Sequence, residues 1–204
     1  RVSIIWEIET DQIKFENGNF SSKTDSELSI NIRDLARKLD GTGGPVSAVG
    51  SVDLDSSTHG FGTHVVDLEI DPETGKTDVI KYTAVQDVGK AIHPSYVEGQ
   101  IQGGAAQGIG WALNEEYFID DKGKMLNSSY LDYRMPTALD LPMIDTILVE
   151  NENPEQPFGV RGVGEVPICP PLGAISNAIK DALGIRLNDL PMKPSVILKA
   201  LSNK

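Results

Sequence analysis

Glu165 has the surroundings that most favour acid–base chemistry in this chain. It lies near the end of residues 157–167, a segment that places three glycines and two prolines among apolar residues. Glycines permit backbone torsions that other residues rarely adopt, so the segment predicts a turn of unusual geometry. A carboxylate directed from such a turn into apolar surroundings is poorly solvated, which raises its proton affinity and makes it a useful general base. The alternative is a surface turn in which Glu165 caps a helix or pairs with Arg161.

Five glycines mark a second candidate site, inside a predicted helix. Ser95 and Glu98 have the spacing of a capping box, so the helix is predicted to run from Ser95 to about Tyr117. In a helix interior each glycine costs about 0.5 to 1 kcal/mol relative to alanine, so another interaction must offset the five. The positions are Gly99, Gly103, Gly104, Gly108 and Gly110.

Uncharged polar side chains accompany these glycines. Gln100, Gln107 and Asn114 recur every seven residues and therefore form a stripe along the helix. Glycine lets a flat ligand approach closely, and carboxamides donate and accept hydrogen bonds without charge. The stripe therefore suits a heteroaromatic ligand or one with amide edges. Tight packing in a buried core is the alternative, with the glutamines bonded to neighbouring backbone.

Several other kinds of site are disfavoured. His59, His64 and His93 lack helical pair spacing and have no cysteine near them in a ligand pattern, so no metal ligand is assigned to this chain. The glycines of residues 159–164 are in the wrong order for a dinucleotide fingerprint, and no Gly-Lys-Ser/Thr follows them. No Gly-x-Ser-x-Gly elbow occurs, which disfavours a serine hydrolase.

Composition excludes further classes of protein. The 204 residues carry 18 Lys and Arg against 30 Asp and Glu, a net charge of −12, with 39% hydrophobic residues and one cysteine. This is a globular composition without a disulfide framework. The acidic balance disfavours nucleic acid, and no apolar segment approaches the roughly 20 residues that span a bilayer. The chain opens with Arg1, and residues 4–8 resemble the interior of a folded element, so we expect a piece of a longer polypeptide.

Strand signals dominate the first half of the chain and helical signals the second, which predicts an α+β fold. Two strand-like runs flank residues 16–19, whose Asn-Gly pair is typical of a tight hairpin. An amphipathic helix is predicted over 30–39, ended by Gly41. Residues 40–62 are predicted as a loop, and a loop of this length in a compact domain indicates function or mobility.

A second hairpin has the clearest signal. Residues 62–70 and 77–88 are rich in strand formers and are joined by 71–75, whose proline and glycine suit successive turn positions. The remaining predicted elements are a hairpin turning at 121–124 and helices over 172–183 and 195–201.

In combination, these motifs resemble the C-terminal part of the molybdopterin-binding large subunit of the xanthine dehydrogenase, aldehyde oxidase and carbon monoxide dehydrogenase family. The resemblance runs in order from about Gly60 to Leu201, and it predicts one continuous region over 1–204 with a strong match over 59–204 and a weaker one over 1–58. Six segments carry it: 59–67, 71–75, 87–89, 99–110, 133–136 and 162–165.

This resemblance implies an α+β fold with mixed sheets, hairpins and packed helices, as part of a larger molybdenum-cofactor-binding domain. It implies that Gln100, with Gly99 and Gly164, binds the pterin of the cofactor, and that Glu165 is the catalytic base beside the metal. The cofactor would be molybdopterin or its cytosine dinucleotide form. Family enzymes oxidise heteroaromatic or aldehyde-type substrates, with water as the source of oxygen.

The resemblance also implies partners. The expected ones are the rest of the large subunit, modules that carry iron–sulfur clusters and FAD, and a small-molecule substrate in the cytoplasm, with neither nucleic acid nor membrane. This chain alone is expected to be inactive. Two alternatives stay open: a non-catalytic binding or assembly module of the same scaffold without metal, and a hydrolase that pairs Glu165 with an Asp.

Overall fold

The computed structural model describes residues 1–53 and 59–203, which fall into two compact units, Arg1–Asp53 and Leu54–Lys204. Part of the predicted 40–62 loop, residues 54–58, lies outside the described residues. The remaining described part contains a short 3₁₀ helix at Leu39–Thr42 and no strand before Phe61. One continuous region over 1–204 stays a prediction.

The first unit is a small antiparallel sheet with two short helices. Asn17 and Gly18 have φ values of 48° and 77° at the predicted hairpin turn, which is confirmed. The predicted 30–39 helix is shorter, because Ile30 pairs with Phe20 in the sheet and the Asn31 side chain caps the helix by accepting from Asp34 N at 2.9 Å. The elements are α1 (Val2–Trp6), β1 (Ile13–Glu16), β2 (Asn19–Ser22), β3 (Ser29–Asn31) and α2 (Ile32–Arg37).

The second unit is a three-stranded mixed sheet with three helices. β4 (Phe61–Ile70) and β5 (Thr77–Asp87) form the predicted hairpin, and β6 (Ile144–Val149) adds to the other edge of β5 in parallel. The sequence did not predict β6. A parallel partner arrives by a long crossover and leaves no hairpin turn beside it in the sequence. The helices are α3 (Pro94–Leu113), α4 (Pro170–Leu183) and α5 (Pro194–Ser202).

The core of this unit lies between the sheet and the helices. Tyr82 of β5, Ile101 and Ile109 of α3, Ile175 of α4 and Ile197 of α5 are all buried in one cluster. The predicted α+β class, with mixed sheets, a hairpin and packed helices, is therefore confirmed. The 172–183 and 195–201 helices are confirmed as well.

Both ends of the predicted glycine-rich helix were misplaced. α3 begins at Pro94, and its cap residue His93 provides no side-chain cap; Ser95 Oγ instead lies 3.1 Å from His93 Nδ1, so the capping box is wrong. The helix ends at Leu113. The predicted 121–124 hairpin is reduced to a single bridge between Ile119 and Met125.

Candidate functional site

Two glycines of α3 allow the segment after Glu165 to lie directly on the helix. A β-carbon on Gly104 would collide with Pro167, and one on Gly108 would collide with the carbonyl oxygen of Ile168 and with Pro171. Only glycine leaves this space. The start of α4 and the short 3₁₀ helix before it, Val166–Ile168, therefore pack closely against α3.

This packing brings the Glu165 loop beside Gln100. A β-carbon on Gly164 would lie 3.5 Å from Oε1 of Gln100. Gly99 is the chain neighbour of Gln100, and Glu165 is the chain neighbour of Gly164. The structure therefore brings together all four residues that the sequence assigned to the site.

The outward face of α3 is open at this point. Gly99, Gln100, Gly103 and Gln107 are exposed, and no atom lies within 4 Å of a β-carbon built on either glycine. The carboxamides of Gln100 and Gln107 form no hydrogen bond with another residue that the structure describes. Close packing thus accounts for the glycines on one face of the helix, while the opposite face is open and ligand access there stays a prediction.

Glu165 itself is exposed. The apolar surroundings predicted for its carboxylate are not supplied by the residues that the structure describes. Its predicted alternative partner, Arg161, pairs with Asp87 instead, with 3.2 Å between Nε and Oδ2. The exposure of Glu165 and its place before the Val166–Ile168 helix agree with the surface-turn alternative, but its side chain forms no cap hydrogen bond and Arg161 is paired elsewhere.

The end of β5 holds the loop on its upstream side. Arg161 N donates to the Val88 carbonyl at 3.0 Å, and Lys90 N donates to the Gly159 carbonyl at 2.9 Å. Gly89 has a φ of 63°, and a β-carbon there would lie 2.8 Å from the carbonyl carbon of Val160. A side chain at position 89 would push the loop away from the strand.

The start of β4 meets the loop on its other side. Gly60 and Gly62 leave room for the side chain of Val166, the residue after Glu165. Arg161 Nη1 donates to the His59 carbonyl at 3.2 Å. Sequence motifs that lie 100 residues apart thus converge on the few residues around Glu165.

His64 has a structural role in the adjoining sheet. Its Nδ1 lies 2.8 Å from the hydroxyl of Tyr82, a fully buried residue of β5. Burial lowers the pKa of His64 to about 4 and raises the pKa of Tyr82 well above its ordinary value. His64 is therefore neutral near pH 7 and serves as a hydrogen-bonding partner.

Sequence reasoning missed the pairing of Asp87 with Arg161. Asp87 lies in segment 87–89 and Arg161 in segment 157–167. The signal available in the sequence was one charge of each sign in two segments that are otherwise apolar and rich in glycine. Among the described residues, no three His, Cys, Asp or Glu side chains are grouped so that they could hold a metal ion. Within the same part of the chain, no helix has the length and apolar character needed to cross a membrane.

Comparisons with known proteins agree on one family. The family model for the molybdopterin cofactor-binding domain matches residues 2–142, a range that includes Gln100 and ends before Glu165. The xanthine dehydrogenase molybdenum-binding subunit of Escherichia coli O157:H7 is 41% identical over 153 residues, covering 74% of this chain and 20% of that protein. The 6-hydroxypseudooxynicotine dehydrogenase complex subunit gamma of Paenarthrobacter nicotinovorans is 32% identical over 200 residues, covering 94% and 25%.

A solved structure shows the same fold. Quinoline 2-oxidoreductase from Pseudomonas putida 86 superposes with a TM-score of 0.79 at 29% identity, over 99% of this chain and 27% of that one. The chain thus spans about a quarter or less of the length of these relatives. The resemblance predicted from the motifs is confirmed, and the chain belongs to the molybdopterin cofactor-binding domain family of molybdenum-dependent oxidoreductases.

Proposed function

We propose that this chain forms one wall of the molybdenum–pterin site of a molybdenum hydroxylase. Gln100 binds the pterin, Gly99 and Gly164 leave room for it, and Glu165 acts as the catalytic base. One observation carries the proposal: a β-carbon built on Gly164 would lie 3.5 Å from Oε1 of Gln100, so the loop that bears Glu165 passes beside that carboxamide. A group seated on the outward face of α3 would therefore lie beside both side chains.

The exposed residues fit such a cofactor chemically. A pterin is flat and has amide-like edges, and the Gln100 carboxamide offers one donor group and one acceptor. That carboxamide has no partner among the described residues, and the space over Gly99 is open. Glycine lets a planar ring approach the helix backbone more closely than any other residue does.

The bound cofactor would supply the two-electron oxidation, while the protein supplies position and electrostatics. Gln100 orients the ring system by hydrogen bonding from its carboxamide. Glu165, held beside it, accepts at a carboxylate oxygen the proton that the water-derived oxygen atom loses. The 3₁₀ helix after Glu165 is fixed on α3, so the carboxylate starts from a backbone that does not need to be ordered during the reaction.

The proposed substrate and partners are based on the names of the relatives. We propose a heteroaromatic compound or an aldehyde as substrate, because relatives are named for xanthine, quinoline and 6-hydroxypseudooxynicotine and another is named an aldehyde oxidoreductase. The cofactor is molybdopterin or its cytosine dinucleotide form. The proposed partners are the rest of the large subunit and iron–sulfur and flavin subunits in the cytoplasm; the naming of one relative as a complex subunit supports this. Alone, the chain would be inactive.

Replacement of the base tests the proposal. In the complete enzyme, Glu165→Gln should lower kcat by about 10²-fold to 10⁴-fold, because general acid–base catalysis contributes that much. Molybdenum and pterin contents should not change, since Gln100 is intact. Turnover is measured with xanthine, quinoline and benzaldehyde as probes and a dye as the electron acceptor.

Glu98→Gln is the matched control for this experiment. Glu98 is an exposed glutamate near the start of α3, so the same chemical change there should leave turnover unaltered. A molybdenum-loaded Glu165→Gln enzyme with wild-type turnover would refute the assignment of the base.

A further inference from the structure

We propose that the ion pair between Asp87 and Arg161 is the positioning device that sets where the Glu165 carboxylate lies. This inference rests on the proposed function, because it gives Asp87 and Arg161 a role that acts through Glu165. Asp87 and Arg161 are positioning residues and not catalytic residues. They are also distinct from the glutamines and glycines on the outward face of α3.

The ion pair is nearly closed off from solvent. Nε of Arg161 lies 3.2 Å from Oδ2 of Asp87, and the two side chains are 14% and 12% exposed. The other pairs in the described part of the chain have side chains at least 31% exposed. Exposed pairs contribute little, whereas removing one partner of a buried pair leaves an uncompensated charge and is costly.

Each partner also holds backbone. The second carboxylate oxygen of Asp87, Oδ1, accepts from Gly89 N at 3.0 Å, which fixes the turn after β5. Nη1 of Arg161 donates to the His59 carbonyl at 3.2 Å, and its guanidinium carbon lies 6.0 Å from the centre of the Phe61 ring. The pair therefore joins the ends of two strands to the loop that carries Glu165.

Only three residues separate this pair from the catalytic candidate. Gly162, Val163 and Gly164 lie between Arg161 and Glu165, and a β-carbon on Gly162 would meet no atom within 4 Å. Two glycines in three residues give the link little preference of its own for one conformation. Val163, between these glycines, packs against the buried core. The position of Glu165 is therefore set by this contact together with its two flanks: Arg161 upstream, and the 3₁₀ helix on α3 downstream.

Loss of the ion pair should loosen the upstream flank, which backbone bonds still hold to the end of β5, and should misplace the carboxylate without emptying the site. A displacement of about 1 Å at a reacting group can lower a rate by about 10²-fold. In the complete enzyme, Arg161→Met and Asp87→Asn should each lower kcat about tenfold to hundredfold, while KM changes by less than about twofold and molybdenum content is kept.

Rescue and coupling distinguish positioning from general damage. Arg161→Lys keeps the charge and should recover most of the kcat that Arg161→Met loses. In the Glu165→Gln background, Arg161→Met should cause no further loss, because its effect is transmitted through the missing carboxylate. Lys76→Met is the matched control, since it removes an exposed ion pair with Asp78 at the opposite end of β5 and should leave kcat unchanged.

Hydrogen exchange provides a readout that does not depend on turnover. The amides of Lys90, Arg161 and Ile168 donate the backbone hydrogen bonds that hold the ends of the Glu165 loop. They should exchange faster in Arg161→Met than in the wild type, whereas amides of α3 should keep their protection. The positioning role is overturned if exchange at these three amides is unchanged, if Arg161→Met keeps wild-type kcat, or if it lowers kcat equally with and without Glu165.

The two proposals fail in different ways. If Glu165→Gln keeps full activity, the assignment of the base fails and the positioning role fails with it. If Glu165→Gln abolishes turnover but Arg161→Met does not lower it, only the positioning role fails.

Discussion

The two faces of α3 carry glycines for opposite reasons. On the inward face, Gly104 and Gly108 occupy positions where a methyl group would collide with the segment from Pro167 to Pro171. On the outward face, Gly99 and Gly103 have open space over them. The comparison shows that one compositional signal, a helix rich in glycine, can combine positions that packing requires with positions that packing leaves open.

The difference between the two faces also shows which interaction offsets the cost of glycine in the helix. Close contact with the start of α4 offsets the inward glycines, because it allows tight packing of buried apolar residues. No described residue does the same for Gly99 and Gly103, each of which costs the helix about 0.5 to 1 kcal/mol. The proposed pterin is the partner that would make those two positions favourable.

The largest expected effect is on the inward face. Gly108→Ala should destabilise the protein by about 1 to 3 kcal/mol, because the added methyl overpacks a tight contact with the Ile168 carbonyl and Pro171. A lower melting temperature of the complete protein measures the loss. An unchanged melting temperature would show that the two helices do not pack as closely as described.

The next effect is on the outward face. Gln100→Ala would remove the proposed hydrogen bonds to the pterin, each worth about 0.5 to 1.5 kcal/mol, so the purified enzyme should retain less molybdenum and pterin. Gln102→Ala is the control, because Gln102 donates to the Ile144 carbonyl of β6 at 3.1 Å and does not face the cofactor. Full cofactor content in Gln100→Ala would contradict the role of Gln100.

Replacing a single glycine by alanine should have a smaller effect on stability, and the sign of that effect should differ between the two faces. Gly99→Ala should stabilise the cofactor-free protein by about 0.5 to 1 kcal/mol, because alanine is the better helix former and its methyl meets open space. It should also reduce cofactor retention. Gly104→Ala should destabilise the protein, since its methyl would collide with Pro167. Equal effects of the two substitutions on melting temperature would remove the distinction between the faces.

A pH-dependent effect tests the sheet beneath the inward face. The pKa of His64 falls from 6.5 to about 4 on burial, so its neutral form stabilises the folded state. Between pH 6.5 and about 4, the unfolded chain binds a proton at His64 that the folded chain does not bind. This contribution to stability therefore decreases as the pH falls, and it is absent below the folded pKa. Stability from His64 should be complete above pH 6.5 and lost as the pH falls through about 4.

A variant isolates this contribution from that of the carboxylates. His64→Phe should show a smaller fall in melting temperature over this pH range than the wild type. A parallel fall in both proteins would mean that His64 titrates alike in the folded and unfolded chains.

Local patterns were enough to predict much of the fold. The hairpin at Asn17-Gly18, the strands joined by 71–75 and the helix over 172–183 each depend on turn residues and periodicity within a short window. β6 was missed because its pairing with β5 is parallel and depends on distant residues. The start of α3 was misplaced because Pro94 occupies the first helical turn and Ser95 bonds to His93.

The proximity of the proposed site residues could be expected from the sequence, but their surroundings could not. Gln100 and Glu165 came from ordered motifs, and the structure brings α3 and the Glu165 loop together. The pairing of Arg161 with Asp87 could not be read from the sequence, because it depends on the tertiary placement of β5 against the loop. For Glu165 the sequence left both apolar surroundings and a surface turn open, and it could not decide between them, because burial depends on which surfaces the fold brings to each side chain.

The central claim, that Gln100 and Glu165 flank a molybdenum–pterin cofactor, is tested most directly by the molybdenum and pterin content of the native, full-length assembly. The account predicts molybdenum and pterin in stoichiometric amounts with this chain. A folded and assembled protein that contains neither would contradict it and would favour a non-catalytic assembly module of the same scaffold.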